Sequence, residues 1–167
     1  MPQVAVSIGS NLDRENNVKK AVVCLASIFG ALSCSPVYES KASGFDGPSF
    51  YNLVVIFETS LDVLNVCEEM RAIEEIQGRQ MGEGRKGSRS LDLDLLLYGN
   101  FVLYEAGLDI PRREILEHAY ILKPLADVFP GGRHPVTGDL FRETWSLLGS
   151  QQEALSHVAA LELDCLG

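Results

Sequence analysis

Between Leu91 and Leu95 leucine and aspartate alternate strictly, and the apolar run continues through Leu96 and Leu97. Strict alternation is the period of a β-strand, in which residues two apart share a face. The segment predicts a strand from Leu91 to Tyr98 that turns Leu91, Leu93 and Leu95 into a core. Asp92 and Asp94 then share the opposite face, their Cα atoms roughly 6.5–7 Å apart. Two carboxylates so placed repel each other and are costly to desolvate. A divalent cation removes both costs. Aspartate oxygens with no nearby histidine favour a hard ion, Mg²⁺ before Mn²⁺, over zinc. The plainer alternative is a pair of solvated acids on an exposed strand face.

The preceding elements say what kind of sheet this strand joins. Residues 3–8 are short, apolar and closed by Gly9, which predicts a first strand. Val18, Ala21, Val22, Leu25 and Ile28 recur at helical spacing through residues 13–29, with Gly30 as a stop. Residues 31–40 read as a second strand in which Pro36 marks an edge or a bulge, and Asn52–Thr59 as a buried third. Thr59-Ser60-Leu61-Asp62 carries a capping signal for a second helix, whose apolar face runs from Val63 to about Ile76. The order β-α-β-β-α-β is the split pattern of a ferredoxin-like α+β sandwich, with both helices on one face of an antiparallel sheet. The C-terminal extension, about 65 residues, leaves the other face free or covers it. It carries turns marked by Pro111, Pro124 and Pro130 and short helices. The Leu and Ala content of residues 151–167 predicts a helical tail. At 167 residues the chain is one domain, with a core over about 3–148 and the tail at 149–167.

A basic island precedes the aspartate strand. Residues 79–89 hold Arg79, Arg85, Lys86 and Arg89 against one acid, Glu83, in a chain whose net charge is −9. Cations beside a carboxylate pair are what a polyphosphate needs: a metal bridging some oxygens, and Arg forks on the rest. Gly78, Gly82, Gly84 and Gly87 suit a closing lid, although a solvated surface loop has the same composition. No phosphate-binding loop of the G-x-x-x-x-G-K-[ST] kind occurs. Pro48-Ser49-Phe50-Tyr51-Asn52 places aromatics beside an amide, a set able to grip a flat heterocycle; packing of either ring in the core is the alternative.

Composition excludes several classes. No apolar run approaches the roughly 18 residues of a membrane span, and an acidic chain opposes nucleic-acid binding. Met1-Pro2-Gln3 does not open a basic and apolar leader, so the chain is expected in the cytoplasm. Cys24, Cys34, Cys67 and Cys165 show no C-x-x-C spacing, and Cys24 and Cys67 read as small buried hydrophobes.

Arg85-Lys86-Gly87-Ser88-Arg89-Ser90-Leu91-Asp92-Leu93-Asp94-Leu95-Leu96 resembles the signature of the 6-hydroxymethyl-7,8-dihydropterin pyrophosphokinases, enzymes of folate biosynthesis. Ile8-Gly9-Ser10-Asn11-Leu12, Phe50-Tyr51-Asn52 and Glu74-Glu75-Ile76-Gln77-Gly78-Arg79 agree in order and spacing. The resemblance spans about residues 3–148 and implies the same ferredoxin-like fold. It implies transfer of pyrophosphate from ATP to the pterin hydroxymethyl group, with AMP leaving. Asp92 and Asp94 would hold two Mg²⁺ ions, and Asp94 would also receive the hydroxyl proton. Arg79 and Arg89 would stabilise the transition state. Glu74, Arg79, Arg85, Lys86, Arg89, Leu95 and Arg112 fall at nucleotide-binding positions. Ala42, Ser43, Phe45, Phe50, Asn52 and Tyr120 fall at pterin-binding ones, with Phe50 and Tyr120 as the two faces of the sandwich.

This chain departs from the pattern in places. Lys86 stands where the family often has Trp, and Ser88 where it has Pro. Arg112 replaces a His, His118 an Arg, and Met81 and Gly107 sit where some members carry Arg. ATP and the pterin are the partners implied, without nucleic acid or membrane, and with the chain a monomer or weak homodimer. A metal-dependent nucleotide pyrophosphohydrolase would share the acids and arginines but needs no acceptor pocket. A non-catalytic ferredoxin-like sensing module would need neither.

Overall fold

The computed structural model describes residues 1–42, 46–78, 91–105, 107–149, 154–158, 161, 163 and 165. Strand β1 (Gln3–Ser10) leads into helix α1 (Arg14–Phe29). The expected second strand is broken in two, β2 (Ser33–Cys34) and β3 (Tyr38–Ser40). Pro36 lies in the gap and has no N–H for a ladder. Beside it Ser35 pairs with Val54 instead, its N–H donating to the Val54 carbonyl and its Oγ accepting from the Val54 N–H, both at 2.9 Å. Strand β4 (Phe50–Glu58) follows, then α2 (Val63–Gln77) and β5 (Asp92–Tyr98). The cap of α2 is Asp62, whose Oδ1 accepts the Asn65 N–H at 2.9 Å, as such a residue does for an orphan helix donor. The chain ends with α3 (Ala119–Val128), α4 (Phe141–Leu148) and a two-residue strand, β6 (Ser156–His157).

The sheet runs β5-β1-β4-β3-β6, with β2 also on β4, and each of these pairs is antiparallel. With β2 and β3 counted as one broken strand, the order is fourth, first, third, second, as the ferredoxin-like reading requires. Alternate residues build two cores. Val4, Val6, Ile8, Leu53, Val55, Phe57, Leu93 and Leu95 pack with Val18, Leu25, Val66 and Met70 of α1 and α2. On the opposite face Ala5, Val54, Ile56, Leu96 and Leu97 meet Leu122, Leu125 and Phe141 from α3 and α4. The C-terminal segment thus covers the second face, one of the two outcomes left open by the sequence. A bulge makes that cover continuous. The β1–β5 register slips between Ala5 and Val6, so Leu96 and Leu97 both reach the second core.

Two expectations are corrected. Pro124 is not a turn but lies inside α3. The helix forgoes the N–H bond that residue 124 would give the Tyr120 carbonyl, while Leu122 and Leu125 bury its apolar face. The tail is not helical among its described residues. β6 pairs with β3, Tyr38 opposite His157 and Glu39 opposite Ser156, and Leu161 is buried in the first core. Cys34 and Cys165 form a disulfide across 131 residues, their Cα atoms 6.0 Å apart. In the chain-entropy account a loop of that length contributes about 5 kcal/mol. Cys24 and Cys67 are free and only half-buried, packed against the first core.

Candidate active site

The sheet face beneath α3 is not covered to its end. Beyond Val54 and Ala5 the residues on that face are Asn52 and Phe50 on β4, Ser7 and Gly9 on β1, and Asp94 and Asp92 on β5. Register places them in rungs: Asp94 pairs with Ser7 and Ser7 with Val54; Asp92 pairs with Gly9 and Gly9 with Asn52. Arg112, Glu114 and Tyr120, which lie before or early in α3, complete a cavity of 220 Å³ over these rungs. The alternation legible in the sequence therefore holds: Leu93 and Leu95 are buried on the face of α1 and α2, and the two aspartates are half-buried and open to this cavity.

Asn52 is held rigidly. Its Nδ2 donates to the Tyr38 carbonyl at 3.2 Å and to Ser40 Oγ at 2.9 Å. Both amide hydrogens are committed, so the carbonyl oxygen Oδ1 is the atom presented towards Gly9 and the cavity. Phe50 and Tyr120 both line the cavity, and the His118 ring stacks behind Tyr120 at 4.8 Å and 14°. Tyr51 faces the other way, under the Arg14 guanidinium at 3.9 Å. Arg14 also donates to the Ser49 carbonyl at 2.9 Å and pairs with Glu39 at 3.2 Å, which ties the segment before β4 to the start of α1.

Arg112 bridges two acids, with Asp94 at 3.2 Å and Glu114 at 3.4 Å. Its N–H donates to the Leu96 carbonyl at 2.9 Å, so its backbone is fastened to β5 next to the carboxylate that it meets. A second cavity, 160 Å³, opens on the far side of this pair. Cys67, Arg71, Glu74, Leu95 and Asp109 line it, together with Asp94 and Arg112. Glu74 is buried on α2. Burial pushes the Cys67 thiol up, with the Arg71 charge opposing, so this cysteine is a poor thiolate.

The structure thus sorts the sequence-derived residues. Phe50, Asn52 and Tyr120 meet at the first cavity, Glu74 and Leu95 at the second, and Asp94 and Arg112 at both. Asp92 lines the first. Ala42 lies on a third, adjoining cavity that shares Ser40, Lys41 and Tyr120 with the first. Ser43, Phe45, Arg79, Arg85, Lys86 and Arg89 lie outside the described residues. Sequence reasoning missed Arg71 and Glu114. Arg71 had a legible signal, because Cys67, Arg71 and Glu74 recur at the spacing of one helix face. Glu114 had none, since its place depends on how residues 99–118 fold back on β5.

Two carboxylates suit magnesium on a nucleotide better than a free metal site. Among the described residues no group of three His, Cys, Asp or Glu side chains converges. Mg²⁺ characteristically takes one or two protein carboxylates and completes its shell with phosphate oxygens and water. The donor set on β5 fits that use.

Comparison with known proteins agrees with this fold. The family described as "7,8-dihydro-6-hydroxymethylpterin-pyrophosphokinase (HPPK)" matches residues 5–130. The 2-amino-4-hydroxy-6-hydroxymethyldihydropteridine pyrophosphokinase of Pseudomonas aeruginosa is 35% identical over 80% of this chain and 84% of its own. The folic acid synthesis protein fol1 of Pneumocystis carinii is 38% identical over 81% of this chain, which spans only 18% of that longer protein. A crystal structure of wild-type HPPK-DHPS from Plasmodium falciparum superposes with a TM-score of 0.73 at 14% identity, covering 90% of this chain and 42% of the other; at that identity it speaks for the fold. The chain belongs to the 7,8-dihydro-6-hydroxymethylpterin-pyrophosphokinase family.

Proposed function

We propose that this chain transfers the terminal pyrophosphoryl unit of ATP to the hydroxymethyl group of 6-hydroxymethyl-7,8-dihydropterin, releasing AMP. One observation carries the reading: two cavities meet at Asp94 and Arg112, one lined by an amide and two aromatic rings, the other by Glu74 and Arg71. A group transfer between two substrates needs such a shared wall. A hydrolase needs no acceptor cavity, and a sensing module needs no acids at the junction.

In this reading the pterin lies between Phe50 and Tyr120. Asn52 Oδ1 accepts a hydrogen bond from the donor edge of the heterocycle, an orientation enforced by the two bonds on its nitrogen. The nucleotide takes the second cavity, near Glu74 and the Leu95 backbone. Asp92 and Asp94 would hold two Mg²⁺ ions with the triphosphate, and these ions would supply charge neutralisation during the transfer. Asp94 would also receive the hydroxyl proton. Arg112, paired with Asp94 and Glu114, would turn its guanidinium to a phosphate oxygen while Glu114 stays within its reach. Arg79 and Arg89 supply further cations to the transition state, each worth about 3 kcal/mol. No helix among the described residues is long and apolar enough to cross a membrane.

The test is AMP release from ATP and Mg²⁺ with and without the hydroxymethyl pterin. Acceptor-dependent AMP supports the transferase. AMP formed at the same rate without acceptor overturns it in favour of the hydrolase, and no AMP in either case overturns both.

A further inference from the structure

The C-terminal tail lies outside the family-matched segment 5–130, yet it reaches the acceptor cavity by two routes. The first is through the sheet. His157 pairs with Tyr38, Tyr38 with Asn52, and the Val158 N–H donates to the Val37 carbonyl at 2.9 Å. β3 is the element that orients Asn52, through the Tyr38 carbonyl and Ser40 Oγ. β3 is three residues long, and without β6 it would be a bare edge. The second route runs through the adjoining cavity. Ala154 and Ser156 form part of the wall of a 630 Å³ cavity that shares Ser40, Lys41 and Tyr120 with the acceptor cavity.

What fastens the tail covalently is the Cys34–Cys165 bridge. Besides it, the described tail offers a two-residue strand and the packing of Leu161, Val158 and Leu163 on the first core. Both cysteines are partly exposed, so a soluble thiol can reach the bridge. We propose that the disulfide-tethered tail is a positioning element of the acceptor site, and that reducing the Cys34–Cys165 bridge weakens acceptor binding selectively. This rests on the first cavity being the acceptor site. The reductant is a dithiol. One of its thiolates attacks a sulfur of the bridge and expels the other as a thiolate. The second thiol then closes the reductant's own disulfide, and the two protons end on Cys34 and Cys165. The second cavity lies on the other side of β5 from β3 and β6, so nucleotide binding is spared.

The experiment uses the whole chain, oxidised or treated with dithiothreitol, with thiols counted after unfolding. Kd is measured for the hydroxymethyl pterin and, separately, for a non-hydrolysable ATP analogue with Mg²⁺. Reduction should raise the pterin Kd and KM about fivefold, the worth of one loosened hydrogen bond, and leave the analogue Kd and saturating kcat within about twofold. Cys165→Ser, which leaves β2 intact, should show the weaker pterin binding with or without dithiothreitol. Equal pterin affinity in both redox states overturns the proposal. So does a parallel loss of both ligands, which reports general loosening, and so does a count of four free thiols before reduction. An oxidised chain that fails to bind the pterin at all overturns the acceptor reading itself, and the proposal with it.

Discussion

Asp92 and Asn52 lie on one rung of the sheet with only Gly9 between them. Two strand spacings put their Cα atoms roughly 9.5–10 Å apart. That span separates the group that would grip a heterocycle from the group that would grip a metal–phosphate cluster. The floor between them is flat because residue 9 has no side chain. A Cβ there would lie 3.7 Å from Asn52 Oδ1 and 3.9 Å from Phe50 Cδ1, ordinary contact distances. The sheet therefore tolerates a larger residue at this position, whereas a ligand would not.

Gly9→Val tests the point. Valine suits a strand, and thermal melting should shift by no more than a few degrees. Its methyl groups fill the floor of the first cavity, so pterin affinity should fall at least about tenfold by calorimetry, in line with a clash in a close-packed site. The nucleotide analogue should bind as before. Retained pterin affinity would place the acceptor elsewhere.

The two aspartates are predicted to matter for chemistry and not for stability. Asp92→Asn removes a like-charge contact worth about 0.6 kcal/mol at 7 Å in water. Asp94→Asn breaks a half-exposed ion pair, typically worth below about 1 kcal/mol, and leaves Arg112 beside Glu114. Each variant should melt within a few degrees of the parent and lose at least about 10³-fold in the rate of AMP formation. A variant that keeps its activity would remove that residue from the metal site; one that unfolds would make it structural.

What was legible in the sequence was what local period determines. The Leu/Asp alternation placed both carboxylates on one face, and the helix spacings put Val18, Leu25, Val66 and Met70 in the first core. The features missed depend on partners far along the chain. Leu and Ala in the tail are good helix formers, but residues 156–157 are taken up by pairing with β3, and Cys165 by its bridge to Cys34. Pro124 reads as a turn from its own geometry, yet burial of Leu122 and Leu125 against Val54 and Leu96 overrides that. The split of the second strand was half visible: Pro36 marked an irregularity, but the Ser35–Val54 pairing that defines it is non-local.

Tyr38 joins β3 to α3. Its hydroxyl donates to Asp127 Oδ2, whose other oxygen accepts from Lys123 Nζ at 2.8 Å. Burial, reinforced by the hydrogen bond and the charge of Asp127, raises its pKa well above the usual phenol value. The folded chain keeps this proton where the unfolded chain releases it. The resulting stability is full below pH 10 and is lost as pH rises beyond it. Tyr38→Phe should cost about 1.5–3 kcal/mol at pH 8, the worth of a bond to a charged acceptor. The parent should lose stability more steeply than the variant between pH 10 and 11.5. Parallel melting curves over that range would show that the hydroxyl carries no coupling.

His134 gives the opposite sign at the acid end. It is buried in the turn before α4, with its ring against the edge of Phe141. Its Nδ1 accepts the Val136 and Thr137 N–H groups at 3.2 and 3.3 Å, so that nitrogen must carry no proton. Burial lowers its pKa, with the Asp139 charge opposing. Below pH 6.5 the unfolded chain takes up a proton that the folded chain resists, so stability present above pH 6.5 is lost as pH falls through the folded value. Asparagine can accept the residue i+2 N–H in an Asx turn, so His134→Asn keeps the acceptor and removes the titration. Its stability at pH 7.5 should lie within about 1 kcal/mol of the parent, the loss coming from the ring contact. Between pH 7 and 5 its urea midpoint should fall less than that of the parent. Equal slopes would mean that His134 is protonated in the fold without penalty, which would contradict the two backbone donors aimed at its ring nitrogen.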